Sequence, residues 1–168
     1  YESVQTLAET GIIDGFEDGT FKPNALVTRE QFVKMLVCAL GIKEETGKEF
    51  NDVPKGYWSE NYIVTAAVNG IVSGYEDGSF KPQDNITRED MAIIIKRALA
   101  KINVDLTKGS ENAEFSDSDE ISSYAKESVE QVSALGIISG MGDGKFMPKS
   151  FLTRAQAAKV IYLVCEAK

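Results

Sequence analysis

Three arginines, Arg29, Arg88 and Arg154, each directly follow a threonine: Thr28, Thr87 and Thr153. Three residues after each threonine stands Gln31, Asp90 or Gln156. Thr-x-x-Gln is a helix-capping pattern, with aspartate a near relative, so each arginine is predicted in the first turn of a helix. A cation there opposes the helix macrodipole. Three copies of an unfavourable placement point to a use. A guanidinium fork beside the free amides of a helix start makes a carboxylate site. The competing reading is structural: each arginine pairs with an aspartate of the preceding loop, Asp18, Asp77 or Asp143, and locks that turn to the helix.

The arginines close three segments, 11–29, 70–88 and 136–154, that align without gaps. Each runs Gly-Ile-x-x-Gly, then Asp-Gly-x-Phe-x-Pro, then Thr-Arg. Such self-similarity marks a repeat architecture. Gly11, Gly70 and Gly136 are predicted to end a first helix, over 4–10, 62–69 and 128–135, by taking the left-handed conformation. The Asp-Gly pairs favour a tight turn. Phe21, Phe80 and Phe146 are expected in the core. A longer second helix then carries apolar residues at helical spacing: Phe32, Leu36 and Leu40; Met91, Ile95 and Leu99; Ala157, Ile161 and Cys165. Three such helices are expected to pack as a central bundle.

Repeats two and three carry matched leaders, Phe50-Asn-Asp52 before Tyr57-Trp58 and Phe115-Ser-Asp117 before Tyr124. The first repeat opens inside its first helix, without a leader. The polar stretch 103–123 is predicted to be a mobile linker. The expected fold is all-α: three helix-loop-helix units, 1–46, 47–106 and 107–168, forming a three-pronged, pseudo-threefold domain.

Composition narrows the function classes. The 168 residues suffice for a compact core. A net charge of −8 argues against a nucleic-acid binder, which needs a basic face. No apolar run is long enough to span a membrane, so no membrane insertion is expected. Tyr1 opens directly into patterned sequence, so an exported protein would carry its signal upstream. The chain has no histidine, which removes histidine-based triads and most zinc sites. Cys38 and Cys165 lie in apolar helical stretches and are read as buried free thiols, with a disulfide or a reactive thiol as the alternative.

The repeat resembles the S-layer homology family: a Phe-x-Asp leader, an aromatic start to the first helix, the Gly-Ile-x-x-Gly…Asp-Gly-x-Phe-x-Pro loop and a Thr-Arg-Ala-Glu-like helix start. The resemblance covers nearly the whole chain in three copies. It departs at Glu30 and Glu89, where the family has alanine, at Gln31, Asp90 and Gln156, where it has glutamate, and at Asp14, which stands where Ser73 and Ser139 stand. It implies a non-catalytic module of a bacterial cell surface that binds an anionic, pyruvylated secondary wall polysaccharide in grooves between repeats. The arginines would then hold the pyruvate carboxylate. Gly15, Gly74 and Gly140, with Ser73 and Ser139, would bring backbone N–H groups close, and Trp58 and Tyr124 would stack on a sugar face, although Trp58 fits internal packing equally well. No cofactor and no metal is implied.

The alternatives differ in class. A structural module could assemble with other S-layer or surface proteins through its apolar helices. A calcium site in the Asp-Gly loops meets too few carboxylates, the third loop having one. A glycosidase-like carboxylate pair would break the repeat symmetry, and no singular cluster stands out.

Overall fold

The computed structural model describes residues 2–15, 18–109 and 114–168. Among these it is all-helical: α1 (Glu2–Glu9), α2 (Arg29–Leu40), α3 (Glu60–Val68), α4 (Arg88–Lys101), α5 (Lys126–Ala134) and α6 (Arg154–Glu166), with one short 3-10 turn at Ser118–Glu120. Each second helix starts where the threonine cap predicts. Thr28, Thr87 and Thr153 are extended N-caps whose hydroxyls accept from the amides of Gln31, Asp90 and Gln156. The glutamines complete reciprocal boxes, whereas the Asp90 carboxylate turns away to Arg29, 3.6 Å from its guanidinium.

The first helices lie slightly upstream of the predicted 4–10, 62–69 and 128–135. They still end as expected. Gly11, Gly70 and Gly136 have φ of 69°, 71° and 72°, and the next amide reaches back to Leu7, Ala66 or Val132, the Schellman arrangement.

The tightest helix pairs run across repeats, not within them. α3 packs on α2, α5 on α4, and α1 on α6, which brings the two ends of the chain together. α2 also packs on α6, one contact of the expected central bundle. Just before the second helices, three backbone bonds close a ring. Val27 N–H donates to Leu152 (3.0 Å), Leu152 to Ile86 (3.1 Å) and Ile86 to Val27 (3.0 Å). All three side chains are fully buried, so this ring sits in the core.

The helix starts are sealed the same way. The Arg29 and Glu30 amides donate to Asp84 and Pro82, those of Arg88 and Glu89 to Ser150 and Pro148, and those of Arg154 and Ala155 to Ala25 and Pro23, all at 2.8–3.1 Å. Each repeat therefore satisfies the orphan donors of another. Removing the third-amide acceptor with Thr153→Ala is expected to cost about 1 kcal/mol in a urea titration; an unchanged midpoint would show that the cross-repeat carbonyls hold the helix start unaided.

The leaders act as clamps. Phe50 packs on Phe80 and Phe115 on Phe146, with ring centres 5.4 and 5.2 Å apart. The Asp52 carboxylate accepts from the Phe80 and Lys81 amides at 2.8 and 2.7 Å, and Asp117 accepts from Phe146 and Met147 at 2.7 Å each. Lys81 and Met147 sit at φ 57°, uncommon for residues with a side chain, and the carboxylates accept from their amides; Lys22, at the same place in the first repeat, has φ 51° without a leader carboxylate. Phe80 and Phe146 are fully buried, while Phe21 is only half-buried.

Two expectations need correction. The stretch 103–123 is not a linker along its whole length: Asp117 and Ile121 are buried, and the Gly109 backbone lies so close to Ala134 that a Cβ would come within 2.4 Å of its side chain. Residues 110–113 of that stretch lie outside the described residues. Cys38 and Cys165 are unpaired but half-buried rather than buried, and burial pushes both thiols up.

Candidate functional site

The arginines do something the sequence did not suggest. Each reaches from its own helix start into the loop of another repeat. Arg29 Nε donates to the Phe80 carbonyl (3.1 Å), Arg88 Nε to Phe146 (2.7 Å) and Arg154 Nε to Phe21 (2.8 Å). The guanidinium carbons lie 4.7–4.8 Å above the rings of those same phenylalanines. Each phenylalanine thus offers a carbonyl and a π-face to one arginine. Arg88 Nη2 also bonds the Ser139 carbonyl (2.6 Å), and Arg154 Nη2 the Asp14 carbonyl (2.7 Å).

Arg29 and Arg88 are only 6% and 5% exposed. Burial pushes Arg88 and Arg154 down, against the charges of Asp117 and Asp14. A guanidinium stays charged regardless, so each is a fixed positive charge.

This arrangement revises both sequence readings. The first two amides of each second helix are occupied by carbonyls and the third by the threonine, so those helix starts offer no free amide cradle for a carboxylate. Nor do the loop aspartates serve as the arginines' partners. Asp18 accepts from the amide and hydroxyl of Thr20 and Asp77 from those of Ser79, while Asp143 accepts from the Lys145 amide. These are local Asx turns. The Thr20 and Ser79 hydroxyls hold Asp18 and Asp77 below the ordinary carboxylate range.

Beside each arginine lies a groove shared between repeats. The first is lined by Arg29, the Ser73–Gly74 loop, Asp90 and Arg97 of α4, and Tyr124. The second is lined by Arg154, Asp14 and Gly15, Gln31 and Lys34 of α2, and Trp58. The third is lined by Arg88, Ser139 and Gly140, and Gln156 and Lys159 of α6. Every residue that the resemblance assigned to the ligand lines one of them. Ser73 and Ser139 are exposed, and Trp58 and Tyr124 are 47% and 67% exposed. Trp58 is thus available to a ligand rather than internally packed.

Gly74 and Gly140 have a structural reason to be glycine. A Cβ would lie 2.5 Å from the Phe50 ring at Gly74 and 2.9 Å from the Lys145 carbonyl at Gly140. At Gly15 the nearest approach is 3.4 Å.

Sequence reasoning missed the second cation of each groove. Lys34 and Lys159 stand five residues after their helix-start arginine and Arg97 stands nine after Arg88. Lys34 pairs with Asp14, and Arg97 reaches Ser73 Oγ at 3.4 Å. The matched lysines of α2 and α6 were an available signal; Arg97, at a different helix position, was not marked by the repeat. It also missed the role of Glu30 and Glu89. Glu30 accepts from Ser59 Oγ at 2.7 Å. Glu89, 3% exposed, accepts from the Ser122 amide and hydroxyl, the Tyr124 hydroxyl and Lys149. Both tie the following repeat's leader to the helix start, and Glu89 also orients Tyr124. Burial pushes Glu89 up, but Lys149 and Ser122 outweigh that and keep it low. Among the described residues no group of three or more acidic or thiol side chains converges to hold a metal ion.

The carboxylates set an acid limit. At Asp117, burial pushes the carboxyl up, but the two amide bonds outweigh it and hold it below its ordinary value. A group depressed in this way stabilises the fold while its unfolded counterpart is ionised, and stops doing so as the pH falls through the folded value. With no histidine, no side chain of ordinary pKa titrates between pH 5 and 8. Melting temperature is therefore expected to be flat from pH 8 to 5.5 and to fall below about pH 4. A melt series showing no loss down to pH 2 would remove the clamps from the stability account.

Comparison with known proteins gives the family. The model of the S-layer homology domain matches residues 1–33, 49–92 and 114–158. The chain is 38% identical over 97% of its length to an amylopullulanase of Thermoanaerobacterium thermosulfurigenes, and 29% identical over 95% to the surface-layer 125 kDa protein of Lysinibacillus sphaericus. It is 30% identical over 59% of its length to a cellulosome-anchoring protein of Acetivibrio thermocellus. It spans 9%, 13% and 23% of these relatives' lengths, respectively. No described helix is long and apolar enough to cross a membrane. With its loop and helix-start residues recurring in three copies and its clamp in two, this chain belongs to the S-layer homology domain family, whose members are S-layer and cell-surface proteins of bacteria.

Proposed function

We propose that this chain is a non-catalytic anchoring module that binds an anionic, pyruvylated wall polysaccharide through its three grooves. The three repeats, 1–46, 47–106 and 107–168, would sit about an approximate threefold axis, with one groove between each pair. The observation that carries the reading is the recurrence of one composition: a cross-repeat arginine, buried in two grooves and half-buried in the third, a glycine-containing loop and a second basic residue from the adjoining helix. In two grooves an exposed aromatic ring completes it, suited to a sugar face. Fixed positive charge at a partly desolvated site suits a carboxylate even on a chain of net charge −8. Several weak sites on one rigid body give avidity, which suits a non-covalent hold. Catalysis named in relatives such as the amylopullulanase would then belong to the rest of their length.

The test is co-sedimentation with purified wall polymer. Trp58→Ala combined with Tyr124→Ala is expected to weaken retention about tenfold, on roughly 0.5–1.5 kcal/mol per lost ring contact. Because both rings are exposed, the melting temperature should move little. Full retention by the double variant would remove the aromatic grooves from the binding surface.

A further inference from the structure

We propose that the three grooves are unequal. The groove of Arg88, Ser139 and Lys159 is the anion-selective site of this chain, and Asp90 is the residue that weakens its counterpart at Arg29 for anions. This rests on the glycan-binding reading above and deepens it.

The argument is one of local charge. In the Arg29 groove the two guanidinium groups, Arg29 and Arg97, face two carboxylates, Glu76 and Asp90. The Asp90 carboxylate stands 3.6 Å from Arg29 and is itself partly exposed toward the groove. An incoming anion meets a charge that is already half-answered. In the Arg88 groove the cations are Arg88 and Lys159, and the described lining holds no carboxylate. The equivalent positions there carry Gln156 in place of Asp90 and Gly142 in place of Glu76. Asp117 acts on Arg88 from the leader behind the loop, outside the groove lining. Asp52 occupies the same clamp position behind the Phe80 loop. Arg88 spends Nε and Nη2 on backbone carbonyls; among the described residues its Nη1 has no hydrogen-bond partner.

The Arg154 groove falls between. Its second cation, Lys34, is paired with Asp14, which occupies the place of Ser73 and Ser139. The two grooves that carry an aromatic ring are thus the ones with a carboxylate. They read the sugar face, while the third reads charge.

A titration followed by amide NMR separates the sites, because Gly74 and Gly140 report on different grooves. The probes are the methyl glycoside of an N-acetylhexosamine bearing a pyruvate ketal and its neutral carboxylate methyl ester. With the acid, the Gly140 amide should reach half its shift at a concentration on the order of tenfold below that for Gly74, since even the nearer carboxylate, Asp90, a few ångströms away at a wet surface has about that effect. With the ester this gap should close. Asp90→Asn should bring the Gly74 midpoint for the acid several-fold lower, and Lys159→Gln should raise that of Gly140. Coincident midpoints with the acid, Gly74 saturating first, or an Asp90→Asn variant with an unmoved Gly74 midpoint would each overturn the ranking while leaving glycan binding intact. No shift in any groove with either probe would overturn the ranking together with the glycan reading.

Discussion

Replacing Asp117 with alanine is expected to destabilise the chain by about 2–4 kcal/mol, a large share of the roughly 5–15 kcal/mol that holds a domain of this size together. Asp117 is buried and accepts two amide hydrogen bonds, from Phe146 and Met147. Alanine leaves both donors without acceptors, at about 1–3 kcal/mol each. It also removes an anchor of the loop that brings Phe146 into the core. Asp117→Asn keeps one accepting oxygen but sets an amide NH2 against an N–H donor, so it should recover less than half of the loss. Urea unfolding read by circular dichroism measures both. A variant within about 0.5 kcal/mol of the parent, the range of an ordinary surface change, would mean that the leader does not clamp the loop. Asp52 holds the Phe80 loop in the same way, so Asp52→Ala should give a similar loss.

Arg88→Ala is expected to cost about 2–4 kcal/mol, for a reason that lies between repeats. The substitution leaves the Phe146 and Ser139 carbonyls without their donor and uncovers the Phe146 ring. Arg88→Lys should not restore the loss. One ammonium cannot lie over the ring and reach two carbonyls that a planar fork reaches together. A variant that melts like the parent would confine Arg88 to a ligand role. The prediction also governs how binding data are read. Lost wall binding in an arginine variant means lost recognition only if its stability has been measured, which is why the exposed Trp58 and Tyr124 are the cleaner probes of the grooves.

These expectations show where the sequence was legible. Threonine caps, helix-ending glycines and Asp-Gly turns are local devices. Their geometry is set by the residue and its neighbours within about one helical turn, so Thr28, Gly70 and Asp77 could be placed before any fold was known. The apolar spacing of Met91, Ile95 and Leu99 was equally readable, and all three are buried. The leader aspartates were visible as matched residues, but their purpose was not. Asp52 and Asp117 act on amides 28 to 30 residues away, and no local rule links them.

The arginines mark the boundary most sharply. From sequence alone each had two readings, a ligand hand at an open helix start or an ion pair with a loop aspartate of its own repeat. The structure shows a third arrangement, in which the helix start is sealed and the guanidinium is held by a phenylalanine of another repeat. The repeat pattern states what each unit contains but not which unit it meets. That order is set by the ring of hydrogen bonds joining Val27, Leu152 and Ile86 and by α1 packing on α6.

Sequence by itself therefore determined the three-fold repetition, the all-helical class, the caps and turns, and the family, because each is written in short-range patterns that recur. Only the tertiary structure decided that each groove takes its two cations from different units, and that Glu89 and Asp90, neighbours in the chain, serve different ends. Glu89 is buried to position Tyr124, while Asp90 is left facing Arg29 in the groove. The physical reason is that charge and hydrogen bonding act through space over a few ångströms, whereas sequence spacing reports proximity only within one element.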